Sequence, residues 1–437
     1  MDKLYSLGLT TIIIFLSFNI SESFSQQKKM LNLNECLEIA EENNFDIQLT
    51  MPSIEASDAN VTNAMGSYLP NISMNSSYSK RSFGTDSPLY FDGIYSLGAN
   101  ASINIFDSFR REASYNQAQS NYESTVSRAN QTKSDVALAV YSRYIEVIKN
   151  YKIVNVRKAN IESGERDLER IIAMNEAGSV SIGAVYGSEA DLGNRRLELV
   201  NAENALEISK SFLLSVMGLE PGDPFEFDQN SLPINLTKES IEKYRNQTGS
   251  LSKLYAKSIQ RRADYHASDF DIQSRKSGIT GAIAQYFPRL SASTGWGGTS
   301  TELSKVTEAT SFNFGVNLSI PIFTNFSVNN AIESAMLAEE QARITQLKLS
   351  NQIKTTLQNA LLNLKAAEET FLISSTTLRS AKLNDDSAKE RFRVGAANIT
   401  ELSQTNAQLI SAQISQINAA HNYYKAQKEI EHGIGEF

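Results

Sequence analysis

The residues of this chain that could do chemistry are few and scattered. Its three histidines, His266, His421 and His432, share no metal-ligand spacing; the last two stand about three helical turns apart. The sequence holds no phosphate-binding P-loop, no Gly-x-Ser-x-Gly and no His-Glu-x-x-His. The one cysteine, Cys36, cannot form a disulfide within the chain and reads as a small buried thiol in an early helix. An enzyme is disfavoured, and no cofactor or metal is expected. What the chain does must lie in what its backbone elements enclose.

Two stretches stand out among those elements. From Tyr95 to Phe106, Tyr95, Leu97, Ala99, Ala101, Ile103 and Ile105 alternate with Ser96, Gly98, Asn100, Ser102 and Asn104. From Phe312 to Phe323, Phe312, Phe314, Val316, Leu318, Ile320 and Ile322 alternate with Asn313, Gly315, Asn317 and Ser319. Period two predicts strands with unlike faces. Each is long enough for a tilted membrane-spanning strand, which needs about 9 to 11 residues, although a sandwich strand with one buried face would read the same way.

At 437 residues, with 41% hydrophobic and 21% charged residues, the chain is neither disordered nor a helical membrane protein. A net charge of −8 argues against a nucleic-acid partner. Residues 1–25 read as a cleavable secretory signal: Lys3, an apolar run from Leu9 to Phe18, then small Ser23 and Ser25. No later run is long and apolar enough for a spanning helix, so any membrane insertion must use strands.

In chain order, Leu33, Leu37, Ile39 and Ala40 mark a short amphipathic helix that Asn34 could cap, and Met51 to Met65 continues helical. Ile72, Met74 and Tyr78 alternate with Ser73, Asn75 and Ser77, giving a first hairpin over 67–106 with a polar loop from Arg81 to Gly93. Ser108 to Asn175 lacks proline and predicts a helix of roughly 65 to 70 residues, or ~100 Å. A turn with Gly178 and Gly183 leads to a return helix from Val185 to Met217.

The chain then repeats. Gly98 and Gly315, Phe106 and Phe323, Gly178 and Gly395, and Gly218 and Gly435 are each separated by 217 residues, and Pro70 matches Pro288 with one residue of slip. This divides the chain into a first repeat at 26–225, a linker at 226–248 and a second repeat at 249–437 whose hairpin covers 285–323. Four strands cannot close a membrane barrel alone, because the smallest have about 8. Inward residues as small as Ser, Asn and Gly favour three copies and about 12 strands around an open lumen.

These features resemble the TolC family of outer-membrane efflux proteins: the paired strand entries Tyr68 to Pro70 and Tyr286 to Pro288, the strand ends at Ile105 and Ile322, RADY at Arg262, and FRVGAANITEL at Phe392. The resemblance covers nearly all of the mature chain. It implies a mainly α protomer with membrane β, a trimeric 12-stranded barrel in the outer-membrane lipid, and a long α-helical coiled-coil barrel across the periplasm. It further implies a periplasmic adaptor and an inner-membrane pump of RND or ABC type, serving efflux or type I secretion. The family's tip glycines fall on Gly178 and Gly395 and its second-turn aromatic on Phe392, as tip and adaptor-contact residues. Its pore-constricting aspartates fall on Glu401 and Gln404. Three Glu401 carboxylates on one axis would disfavour anion passage. The family's latch arginine falls on Ala397, and Gly183 and Ala184 stand where it has a polar pair, so its latch is missing here. Trp296, Tyr78, Tyr90, Phe91, Tyr95 and Phe312 could form an interfacial aromatic girdle. The rival reading is a barrel-anchored coiled-coil stalk that transports nothing.

Overall fold

The computed structural model describes residues 29–80, 93–229 and 236–437, so the expected signal segment, Tyr90, Phe91 and the 81–92 part of the first hairpin loop lie outside the described residues. Strands β2 (Asn71–Ser79), β3 (Ile94–Phe106), β5 (Arg289–Ser300) and β6 (Thr310–Ser319) form one antiparallel sheet in the order β2-β3-β5-β6. The register aligns like faces across all four strands, with Ser76, Thr294, Ser300 and Thr310 the polar exceptions on the apolar side and Ile94 the apolar one on the polar side. One row reads Met74, Ala99, Trp296, Phe312; the next residue along reads Asn75, Gly98, Gly297, Ser311. The apolar face covers nothing: Ile72 is 75% exposed and Phe312 73%. That removes the sandwich reading, in which this face would be buried against a second sheet.

Strand β6 stops at Ser319 rather than continuing to Phe323. Pro321 has no N–H to donate to a ladder, and Ile322 beyond it is 96% exposed. Strands β2 and β6 are the sheet's two edges, each paired on one side only.

Both hairpins pass into helix through the same backbone device. Ser108 and Phe109 have φ of 59° and 67°, and Asn325 and Phe326, 217 residues on, have 50° and 60°. Left-handed backbone is costly for residues with a Cβ, so its use twice at one register marks a sharp, over-determined turn. Ring contacts brace each turn, Phe106 with Phe109 at 6.4 Å and Phe323 with Phe326 at 5.9 Å. Helices α3 (Arg110–Glu176) and α8 (Ser327–Arg393) then run for 67 residues each, about 100 Å. Their return helices α4 (Ile182–Val216) and α9 (Ile399–Gly433) are 35 residues each. Helices α2 (Phe45–Gly66) and α7 (Ala263–Ile283) complete a wall in which α2 packs on α3, and α7 lies between α3 and α8. Ser124 Oγ donates to Asp271 at 2.7 Å across the α3–α7 seam.

The equator carries structure that periodicity did not reveal. A three-residue strand β1 (Lys29–Leu31) pairs in parallel with β4 (Phe225–Phe227). Helix α1 (Leu33–Asn43) is capped by Asn32, not Asn34: Asn32 Oδ1 accepts from the Glu35 N–H at 3.0 Å, and Glu35 returns the bond at 2.8 Å. Asn44 then separates α1 from α2. The stretch expected as a linker at 226–248 holds the end of β4 and helix α5 (Lys238–Thr248), followed by α6 (Leu251–Arg261). One core gathers Leu31, Cys36, Tyr144, Leu213 and Phe227, and the Tyr144 hydroxyl donates to the Asp228 carbonyl at 2.9 Å. A second core joins Ile241 of α5 to Leu357, Tyr423 and Ile430 of the second repeat.

Candidate gating site at the helical tip and the lumen face

The two helical hairpins meet at the end farthest from the sheet, and both turns close alike. Gly178 and Gly395 have φ of 71° and 76°. The Gly178 N–H donates to the Asn175 carbonyl at 2.9 Å and the Ser179 N–H to Met174 at 2.8 Å. Gly395 and Ala396 repeat this with Phe392 and Arg391 at 3.1 and 2.7 Å. This pair of bonds satisfies the last carbonyls of a helix and needs a residue that accepts positive φ. A Cβ on either glycine would meet nothing within 4 Å, so both stand at the open surface of the tip.

Phe392 does not join them there. It is 7% exposed and packs with Ile171, Val185 and Leu402, one residue from each of the four tip helices. Phe392, expected as a tip contact residue, is thus turned inward in the protomer: an aromatic one turn before the glycine faces the partner hairpin because that is where apolar area can be buried.

Glu401 occupies the third position of α9, where its N–H bonds to Asn398 Oδ1 at 2.8 Å and its carboxylate suits the positive end of the helix. It is ion-paired with Arg391, the two side chains being 36% and 46% exposed. Gln404, about one turn on, is exposed. Small Gly183 and Ala184 help leave a cavity of about 460 Å³ between the hairpins, also lined by Asp167 and Ser403.

Behind the turns lies a polar network that the sequence reading missed. Arg195 is buried on α4, where it holds Asp191 at 2.8 Å and donates to the Asn160 carbonyl and amide oxygen at 3.0 and 2.8 Å. Gly164 makes room: a Cβ there would lie 2.9 Å from Arg195 Cδ. Ser403 Oγ reaches Asp191 from the other hairpin at 3.4 Å. Burial raises the Asp167 carboxyl above its usual range, and Arg170, Arg195 and Lys389 partly oppose that.

On the sheet, the polar face is built from amides lying flat over glycines. Asn100 Nδ2 donates to Asn75 Oδ1 at 3.0 Å. At Gly295 a Cβ would fall 2.5 Å from Asn313 Oδ1 and 2.8 Å from Asn100 Oδ1. Tyr78 and Tyr95 stack at 4.7 Å near the loop end, while Trp296 and Phe312 pair deeper in the sheet. The histidines stay apart. His432 bonds Asp135 at 2.7 Å, His266 bonds the Gln260 carbonyl at 3.0 Å, and His421 is held below its usual pKa by burial and by Lys149. Among the described residues no group of three or more His, Cys, Asp and Glu could hold a metal ion, and no helix is long and apolar enough to cross a membrane.

A sheet apolar on one face, hydroxyl- and amide-lined on the other, open at both edges and continued by ~100 Å of helix is the protomer of an outer-membrane channel. The family model described as outer membrane efflux protein matches residues 36–219 and 254–436, one segment for each repeat. The chain belongs to that family. Among curated relatives, protein CyaE of Bordetella pertussis is 25% identical over 380 residues, covering 86% of this chain and 76% of that one. Outer membrane protein TolC of Vibrio cholerae is 23% identical over 427 residues, covering 92% and 90%. Among solved structures, CusC superposes with a TM-score of 0.79 at 15% identity over 96% of both chains. The Campylobacter jejuni CmeC outer membrane channel gives 0.75 at 18% identity, covering 92% of this chain and 85% of that one. The protein is an outer-membrane exit duct for efflux or secretion, with its helices in the periplasm.

Proposed function

We propose that three copies close a 12-stranded barrel and a helical tunnel that passively conducts substrates delivered by an inner-membrane pump of RND or ABC type through a periplasmic adaptor. The observation that carries this reading is the pair of open sheet edges. In lipid an unpaired edge leaves N–H and C=O groups unsatisfied at several kcal/mol each, so β6 of one copy must meet β2 of the next. Three copies of four strands give a lumen wide enough to need no filling, which agrees with a polar face of Ser, Asn and Gly.

At the tip, Gly178 and Gly395 supply the exposed surface for the adaptor, and Phe392 supports that surface from within. Glu401 and Gln404 form the pore constriction, with Arg391 as the counter-charge that holds Glu401 in the resting tip. Single-channel recording in planar bilayers tests both points. A small conductance is expected that rises in Glu401→Ala and responds in wild type, but not in the variant, to divalent cations added from the tip side. A folded assembly that forms no pore would instead favour a barrel-anchored stalk.

A further inference from the structure

Arg289 is the only charged residue in the four strands of the sheet. It lies on the polar face, opposite Ser319 and in line with Ser291, at the end where the strands meet the helices. There it lines a cavity of about 750 Å³ together with Asn71, Asn104, Asp107, Arg110 and Arg111. Arg111 is occupied: its Nε stands 3.2 Å from Asp107, it donates to the Ile105 carbonyl at 3.3 Å, and it lies over the Tyr68 ring at 4.8 Å. Arg110 and Arg289 are exposed, and among the described residues neither has a carboxylate within 4.0 Å. The cavity therefore carries three guanidiniums against one carboxylate. The start of α3 has no side-chain cap and adds its own positive end.

The fold does not require these charges. The equivalent strand-to-helix turn of the second repeat has the same left-handed pair at Asn325 and Phe326, yet Ser327 and Val328 stand in place of Arg110 and Arg111. Asn71 stands in place of Arg289 at the start of the matching strand. One turn of the two has been made basic, by residues from both repeats converging on one cavity.

The geometry points to a basic collar at the base of the barrel lumen, formed by Arg110 and Arg289 of each copy, that binds solutes bearing several carboxylate or phosphate groups as they pass from tunnel to barrel. This assignment rests on the conduit reading above. Because the strands beyond Arg289 are uncharged, the collar is the first fixed charge on the strands met from the extracellular mouth, whereas a solute from the tip side meets Glu401 first.

The test is block of single-channel current by inorganic tripolyphosphate added on the extracellular side. Wild type should be blocked in a saturable way that weakens with salt. In R110Q/R289Q the half-blocking concentration should rise at least about tenfold, while R110K/R289K should stay within about threefold of wild type. The single variants R110Q and R289Q should fall between, and they carry the test if the double variant does not assemble. Conducting channels blocked equally in wild type and the Gln variants would overturn the collar. Absence of any conductance in wild type would overturn the conduit instead.

Discussion

Replacing Phe392 with alanine removes the ring that ties the two tip hairpins together. Truncating a buried Phe costs about 3 to 5 kcal/mol. Of its three buried neighbours, Leu402 belongs to its own hairpin, whereas Ile171 and Val185 belong to the other. About two thirds of the loss, roughly 2.5 kcal/mol, then falls on the contact between hairpins, which shifts the balance from closed toward open tip about sixtyfold. Phe392→Leu should cost under about 1.5 kcal/mol and shift that balance no more than about tenfold. The assay is open probability in planar bilayers, with assembly checked by gel mobility of unheated protein. An assembled Phe392→Ala channel that opens no more often than wild type would refute the reasoning that packing of this ring closes the tip.

Further outcomes follow from single contacts. Gly178→Ala and Gly395→Ala should each lower stability by about 1 kcal/mol, since only positive φ resists them. Gly218→Ala should cost at least about 3 kcal/mol, because its Cβ would sit 2.1 Å from the Asn43 carbonyl oxygen; thermal unfolding separates the three. Gly295→Val should still assemble but conduct less, because it pushes the Asn100 and Asn313 amides into the lumen. Burial, with help from Glu35, pushes the Cys36 thiol up to about 12, so at pH 8 native protein should resist alkylation that goes readily in denaturant; rapid native labelling would contradict its placement in the core.

The strands and the repeat could be read before any coordinates, because lipid and lumen impose opposite demands on alternate residues and a duplicated unit keeps its spacing. The long helices were readable for a similar reason: nothing between Ser108 and Glu176 breaks a helix, Gly164 excepted, and Gly164 proves to be a niche for Arg195. What stayed hidden is held by long-range contacts. Strands β1 and β4 are three residues each, KML and FEF, too short for any period, and they exist because each completes the other. Asp191 and Arg195 look like an ordinary solvated pair at i and i+4, and only the approach of α3 buries the arginine. The position of Phe392 was legible from the turn after it, but its direction was set by the second hairpin. The basic cavity at the sheet base joins residues separated by 179 positions, Arg110 and Arg289, and their charges showed no local pattern.

The most direct test of the central claim is disulfide trapping between the open sheet edges, with one cysteine placed on β2 at Ser73 and a second scanned from Ser311 to Ser319 along β6. Cys36, buried in the core, leaves the background low. Closure by three copies predicts that at the right register non-reducing gels show a ladder ending at the trimer, with alternate positions linking well. Products that stop at a dimer, or that climb past three, would contradict it.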